Sequence, residues 1–202
     1  MSDPRLRLAT LADAAAIASI YAPWVRETGV SLELEPPSPA LIASRIAAVS
    51  SFYPWLVLEL GGEVRAYAYA TRLRERPAYD WVAETSIYVE QTLHRRGLGE
   101  RIYAALLDLL AIQGMVWAYG GISVPSDAHE PGPSQRFHER IGFARLARFP
   151  RVGFKHGRWW DVEWWRFALA DTDEQGQAQL EPIRSIQDPA LREAISERLA
   201  WS

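Results

Sequence analysis

The chain has 202 residues, of which 49% are hydrophobic and 11% aromatic, enough to fill one core and too few for two ordinary domains. A net charge of −3 and a pI near 5.8 exclude the excess of positive charge that would attract nucleic acid. There is no cysteine, which excludes disulfides, thiolate metal sites and a cysteine nucleophile. No stretch approaches about 18 uninterrupted apolar residues. We therefore expect a cytoplasmic protein with no membrane partner, no nucleic-acid partner and no bound metal.

Two helices are predicted in the first half of the chain from their capping residues. Thr10, followed by Asp13, is close to a capping box and precedes an apolar stripe at helical spacing that ends at Gly29. Ser38 precedes Pro39, the arrangement of a cap followed by proline at the first helical position. Each helix has one apolar face, so each is expected to pack on a sheet.

Alternating or continuous apolar runs predict the strands. The third and fourth runs are separated by Gly61-Gly62 and should form a hairpin, and the apolar run there is consistent with a central strand. The runs are Arg5–Ala9, Ser31–Glu35, Trp55–Leu60, Val64–Leu73, Trp81–Val89, Met115–Val124, Phe143–Val152 and Trp159–Leu169. Between the run that ends at Val124 and the run that begins at Phe143, Ser134 is expected to cap a short helix that ends at Gly142.

A glycine turn after the fifth run predicts an anion site. The strand ending at Val89 leads through a basic connection to Gly97-Leu98-Gly99, which opens a helix that should end near Gly114 in a left-handed conformation. Unpaired N–H groups at a helix N-terminus, with the helix dipole behind them, attract a phosphate group. The usual nucleotide fingerprints do not fit, because Ile102 replaces the third glycine of a dinucleotide turn and no Gly-Lys-Ser/Thr follows.

The segment His94-Arg95-Arg96-Gly97-Leu98-Gly99 resembles the acyl-CoA pyrophosphate loop of the GNAT superfamily of N-acetyltransferases, Gln/Arg-x-x-Gly-x-Gly/Ala, with His94 at the Gln/Arg position. The order of predicted elements over residues 5–169 is also similar to the GNAT fold. Three further stretches look like the phosphinothricin N-acetyltransferase branch. They are Arg76–Val89, Phe137–Phe143 and Gly153–Val162.

This resemblance implies a fold. It is a single GNAT-type α/β (α+β) domain over residues 1–170, with a mixed, mostly antiparallel sheet covered by helices on both faces. A splayed parallel strand pair would hold acyl-CoA. Residues 171–202 are interpreted as a C-terminal extension with a linker and a short helix, because the composition turns polar after Asp171.

The resemblance also implies catalytic residues. Glu84 stands where the branch carries its general base, and His138 or Ser134 would protonate the leaving thiolate. Taken from the residues alone, Glu84 fits a strand-end carboxylate paired with Arg72 or Arg74 better than a general base, and His138 fits a satisfied helix histidine equally well.

Acetyl-CoA is the co-substrate that the resemblance implies. The backbone of one strand would bind the pantetheine arm, and the glycine loop would bind the pyrophosphate. The family's Pro-Asn-Asp-Pro-Ser turn is replaced here by Pro125-Ser126-Asp127 and extra residues, which leaves the usual asparagine contact in doubt. The cofactor-binding residues expected are Ile87, Tyr88, Val89, Arg95, Arg96, Gly97, Leu98, Gly99, Glu100 and Ser126.

Arg76 and Tyr79 match positions that line the amine pocket in the branch, and a guanidinium suits a substrate carboxylate. An exposed loop arginine and a packing tyrosine are the alternative. Leu32 stands where the branch tends to place phenylalanine at the pocket wall. The paired tryptophans near the C-terminal end of the domain, together with the branch, favour a homodimer.

The function expected is acetyl-CoA-dependent acetyl transfer to the primary amine of a small amino-acid-like molecule of the phosphinothricin or methionine sulfone/sulfoximine type. Two alternatives remain open: acetylation of another amine, such as a protein N-terminus or an aminoglycoside, and a catalytically silent acyl-CoA-binding module.

Overall fold

The computed structural model describes residues 4–93 and 96–170, and seven of the eight predicted strands pair into one sheet. The strands are β1 (Arg5–Leu8), β2 (Trp55–Leu60), β3 (Glu63–Arg72), β4 (Val82–Val89), β5 (Trp117–Pro125), β6 (Ala144–Lys155) and β7 (Arg158–Ala168). The helices are α1 (Ala14–Glu27), α2 (Pro39–Val49), α3 (Leu98–Ile112) and α4 (Pro133–Ile141).

The sheet has the order β1-β2-β3-β4-β5-β7-β6. Neighbouring strands are antiparallel except β4 and β5, which are parallel and are joined through α3. The predicted mixed, mostly antiparallel sheet with one parallel pair is therefore confirmed, and β2 and β3, the two strands of the predicted hairpin, lie inside the sheet.

Helices cover both faces of the sheet because the strand side chains alternate between two apolar surfaces. On one face, α3 packs against residues such as Leu56, Leu58 and Ala68. On the other face, α1 and α2 pack against Trp55, Val57 and Tyr67. Consecutive residues of β2 thus serve two cores, which explains its unbroken apolar run.

Three sequence predictions about element boundaries are wrong. Ser31–Glu35 forms no strand; it is an irregular segment between α1 and α2. Ser134 is not the cap of α4, because Pro133 takes the first helical position and Gly132 the cap. The last hairpin is longer than expected, since β6 continues to Lys155 and leaves only His156 and Gly157 for the turn.

Several local signals are confirmed. The Ser38 side chain accepts a hydrogen bond from the Leu41 N–H at 3.2 Å, and the Thr10 N–H donates to Asp13 Oδ2 at 2.7 Å. In the described ranges, none of the helices combines the length and apolarity that a bilayer span requires. The linker and short helix predicted after Asp171, and the predicted loop residues His94 and Arg95, lie outside the described residues.

Candidate active site

The parallel strands β4 and β5 diverge after three residue pairs, of which Glu84 and Tyr119 are the last. Beyond that point β4 continues against β3 to Val89, and β5 continues against β7 to Pro125. The Thr85 hydroxyl donates to the Tyr119 carbonyl at 3.0 Å and so bridges the two strands where they separate. The result is a wedge-shaped gap in the centre of the sheet, with Glu84 at its apex.

The register of β4 decides which backbone groups face this gap. The Glu90 N–H donates to the Arg65 carbonyl of β3 at 2.9 Å. Because backbone groups alternate sides along a strand, those of Ile87 and Val89 point away from β3 and toward the gap. Tyr88 directs its backbone groups to β3, so it differs from the other two residues predicted to bind pantetheine.

The N-terminus of α3 lies at the open end of the gap. Gly97 precedes the helix with φ of 74°, a left-handed conformation that glycine adopts without steric cost. Gly99 brings the first turn close to α4 and β4, since a Cβ there would lie 3.3 Å from Phe137 and 3.5 Å from Val89. Leu98 is buried and anchors the turn. The N–H groups of the first turn of α3, which have no partner within the helix, therefore lie beside the end of β4.

Glu84 is half-buried on the face of the sheet that carries α1 and α2. Burial raises the pKa of its carboxyl above the usual 4.5, and the nearby charge of Arg74 partly opposes that shift. Arg72, the other partner considered for Glu84, forms an ion pair with Asp80 at 3.0 Å instead. Among the described residues, the carboxyl group therefore stands at the apex with a raised pKa and has no close ion pair that would fix its charge.

Gly121 provides open space beside Glu84. A Cβ at this exposed glycine would lie 3.9 Å from Glu84 Oε1 and 3.7 Å from the Trp164 ring. The absence of a side chain at Gly121 therefore leaves an uncovered patch of sheet between a carboxylate and an indole. An ammonium group fits between such neighbours, because both attract a cation.

His138 lies on the opposite face, behind Gly120. Its Nδ1 is 2.9 Å from the Ser134 carbonyl and its Nε2 is 3.4 Å from the Tyr103 hydroxyl, which is itself 2.7 Å from Thr85 Oγ1. Burial lowers the pKa of His138, so the ring is neutral near pH 7 with its proton on Nδ1. Consecutive residues Gly120 and Gly121 face opposite sides, so the sheet separates His138 from Glu84.

The remaining predicted site residues lie in three places. Arg76 and Tyr79 are exposed in the connection between β3 and β4, close in sequence to Arg74. Ser134 is half-buried in the first turn of α4. The Ser126 hydroxyl donates to Asp161 and its N–H to the Trp159 carbonyl, so both groups serve the β5–β7 end of the sheet.

Sequence reasoning missed Tyr103, Gly121 and Trp164 as parts of the site. The pair Gly120-Gly121 inside a predicted strand was an available signal, because glycine inside a strand often marks a place where something approaches the backbone closely. Tyr103 and Trp164 gave no local signal, since each fits an ordinary core pattern.

Comparisons with known proteins show what the chain is similar to. The family model for the acetyltransferase (GNAT) domain matches residues 6–164. The phosphinothricin N-acetyltransferase of Streptomyces viridochromogenes is 35% identical over 181 residues, covering 90% of this chain and 93% of that protein. An L-methionine sulfoximine/L-methionine sulfone acetyltransferase of Salmonella typhimurium is 31% identical, covering 81% and 94%. Among solved structures, a phosphinothricin acetyltransferase of Sinorhizobium meliloti in complex with acetyl-CoA superposes with a TM-score of 0.76 at 28% identity, covering 87% and 96%.

Proposed function

The chain belongs to the GNAT superfamily and is an N-acetyltransferase, and from that premise we propose that it transfers an acetyl group from acetyl-CoA directly to the primary amine of a small amino-acid-like molecule. The observation that carries the proposal is the Glu84 carboxyl, half-buried at the apex of the gap between β4 and β5 beside the uncovered Gly121.

The backbone groups and the helix terminus suit acetyl-CoA. On the gap edge of β4, next to Val89, the backbone of Ile87 is placed for strand-like hydrogen bonds with the pantetheine arm. The turn Gly97–Glu100 offers N–H groups to the pyrophosphate, and the exposed Arg96 adds positive charge. The thioester would then lie at the apex, near Glu84.

The proposed reaction is a single displacement. Glu84 takes a proton from the substrate ammonium, and the freed amine nitrogen attacks the thioester carbonyl carbon from the Gly121 side. A C–N bond forms, the C–S bond breaks, and the second proton that the attacking nitrogen loses passes to the departing thiolate. A carboxyl with a raised pKa is a better base than an ordinary glutamate, because its proton affinity lies closer to that of the amine.

His138 and Ser134 remain the two candidates for assisting the thiolate. The neutral His138 holds its proton against the Ser134 carbonyl, so the Ser134 hydroxyl is the more available donor of a hydrogen bond to sulfur. If this is correct, Ser134→Ala lowers kcat more than His138→Gln does. A larger loss of kcat in His138→Gln would assign the role to His138.

The substrate class is inferred from the relatives, which are named for phosphinothricin and for methionine sulfoximine or sulfone. Arg76 and Tyr79 lie in the connection that precedes β4, and we propose that they close over the substrate and pair with its carboxylate. Acetyl transfer to a protein N-terminus or an aminoglycoside is the alternative activity.

We further propose that two copies form a homodimer and that the protein is cytoplasmic. The edge strand β6 and the adjoining β7 residue Trp159 carry five large apolar side chains that are about half exposed. Such a patch is typical of an interface. The five are Leu146, Phe149, Val152, Phe154 and Trp159.

Release of free CoA thiol from acetyl-CoA tests the activity. The panel of amines contains phosphinothricin, methionine sulfone, free amino acids, a short peptide and an aminoglycoside. Turnover limited to the amino-acid analogues is the expected result. Turnover only with the peptide or the aminoglycoside would contradict the substrate class, and acetyl-CoA binding without turnover on any amine would favour the silent module.

A further inference from the structure

Lys155 is the only lysine in a chain with 22 lysine and arginine residues. It is also buried, with 4% of its surface exposed, whereas most charged residues of a protein remain in water. Within the described part of the chain, its ammonium group donates a hydrogen bond from Nζ to the Ser31 carbonyl at 2.6 Å. Burying a cation is costly, so this position has a role that an apolar side chain would not fill.

The partner of Lys155 belongs to the segment between α1 and α2, which we call the α1–α2 segment and define as residues 29–33. Side chains of the sheet bind its consecutive carbonyl groups. The Ser123 hydroxyl donates to the carbonyls of Gly29 and Val30, the latter at 2.9 Å, and Lys155 continues the series at Ser31. A segment without regular structure is thereby fixed to β5 and to the end of β6.

Close packing of the α1–α2 segment on the β6–β7 hairpin adds to this attachment. A Cβ at Gly29 would lie 2.1 Å from the Trp160 ring, and a Cβ at Gly153 would lie 2.8 Å from Leu32. Both contacts need glycine, so the segment and the hairpin fit each other without space for adjustment. A displacement of the segment would therefore move Leu32 as well.

A charge network lies at the other end of the α1–α2 segment. Glu33 accepts hydrogen bonds from Arg45 at 2.8 Å and from the Tyr21 hydroxyl at 3.1 Å, and Tyr21 also bonds Ser31 Oγ at 2.6 Å. The carboxylate of Glu33 favours the charged form of Lys155, while burial lowers the pKa of that lysine. Two positive charges, Arg45 on α2 and Lys155 on the sheet, thus hold the segment from opposite sides.

The position of the α1–α2 segment links it to the active site. Ser123 lies two residues after Gly121 and faces the same side of β5 as Glu84. Two residues of a strand span about 7 Å, which is comparable to the length of a small amino acid. The segment therefore stands where the far end of a substrate would reach when its amine is beside Glu84.

We propose that Lys155 is a positioning residue that holds the α1–α2 segment in place as the far wall of the amine pocket, and so sets which small amines fit. The proposal rests on the proposed function for the identity of the pocket. An ammonium group suits the task because it is compact and directs its bond to one carbonyl, whereas the chain uses arginine at every other basic position.

The test uses Lys155→Met and Lys155→Cys. Because the chain has no other cysteine, the introduced thiol can be alkylated selectively in urea before refolding. Alkylation with bromoethylamine restores an ammonium at nearly the original position, and alkylation with iodoacetamide supplies a neutral group of similar size as the matched control. Kinetic constants, acetyl-CoA affinity and amide hydrogen exchange of residues 29–33 are measured for each form.

We expect Lys155→Met and the iodoacetamide form to raise KM for the amine by about tenfold or more, with kcat and acetyl-CoA affinity within about twofold of wild type. Exchange in the α1–α2 segment should accelerate, and the bromoethylamine form should return both values toward wild type. The proposal would be overturned if amide hydrogen exchange of the segment and KM for the amine stayed unchanged. It would also be overturned if kcat, acetyl-CoA affinity and thermal stability all fell together. Amide hydrogen exchange is measured without any amine substrate. It therefore tests whether Lys155 holds the α1–α2 segment even if the proposed acetyltransferase activity is wrong.

Discussion

Gly121 is the residue that keeps the space beside Glu84 open. A valine there would fill the patch between Glu84 and Trp164, because even its Cβ would lie 3.9 Å and 3.7 Å from them. We expect Gly121→Val to raise KM for the amine by about tenfold or more, while the affinity for acetyl-CoA stays unchanged. Steady-state kinetics with each substrate varied in turn measures both.

Gly121→Ala is the matched control, because its single methyl makes ordinary contacts at those distances. It should behave much more like wild type than the valine variant does. Equal KM values for the amine in wild type and Gly121→Val would place the amine elsewhere.

The pKa of Glu84 has a consequence for stability. Burial raises that pKa above 4.5, so the folded protein favours the protonated carboxyl. The stabilising contribution of the protonated Glu84 carboxyl is fully present below pH 4.5 and is lost as the pH rises through the raised pKa of the folded state. We therefore expect Glu84→Gln to have a higher Tm than wild type at pH 7 and a similar Tm near pH 4. Thermal unfolding across that pH range tests this, and a lower Tm at pH 7 would contradict it.

Residues of the site differ in how far sequence could predict them. Glu84 can be proposed from sequence because its motif is local and matches a family. Lys155 and Ser31 are 124 positions apart, and nothing in either neighbourhood indicates that they meet. Contacts of this kind depend on the three-dimensional fold, so sequence reasoning could list Lys155 in a motif but could not assign it a partner.

Among the elements, the turn before α3 allows the most specific prediction. Gly97 has a left-handed φ of 74°, which a β-branched side chain opposes. We expect Gly97→Val to reduce the free energy of unfolding by about 1–2 kcal/mol and to raise KM for acetyl-CoA. Its KM for the amine should change little. Calorimetric titration with acetyl-CoA checks the effect, and unchanged affinity would refute the anchor.

Elements were predicted well where the signal was a cap, a glycine turn or a long apolar run. Ser38, the Gly61-Gly62 turn and the strand entering the active site are examples. The strand prediction for Ser31–Glu35 was wrong because its residues alternate as in a strand, whereas the Ser31 carbonyl bonds Lys155 of the sheet and the Glu33 N–H bonds the Ser31 side chain. The predicted start of α4 was wrong because Pro133 is a stronger helix-start signal than Ser134.

At the scale of the whole molecule, the apolar patch on β6 and β7 predicts association. Phe154 is 57% exposed and contacts Trp159. We expect Phe154→Glu to shift the protein from dimer to monomer in light scattering, because a charge in an interface core is costly. Leu11, also 57% exposed but in the first turn after β1, gives the control Leu11→Glu. A wild-type monomer, or an undisturbed dimer in Phe154→Glu, would contradict the proposed interface.

The central claim is that Glu84, at the point where β4 and β5 separate, accepts the proton of the amine. The most direct test measures kcat for wild type and Glu84→Gln over pH 5–9 with the best amine of the panel, together with acetyl-CoA affinity. We predict a loss of about 10²-fold or more in kcat throughout that range, with acetyl-CoA affinity unchanged. Turnover that remains intact at all of these pH values would show that Glu84 is not the base.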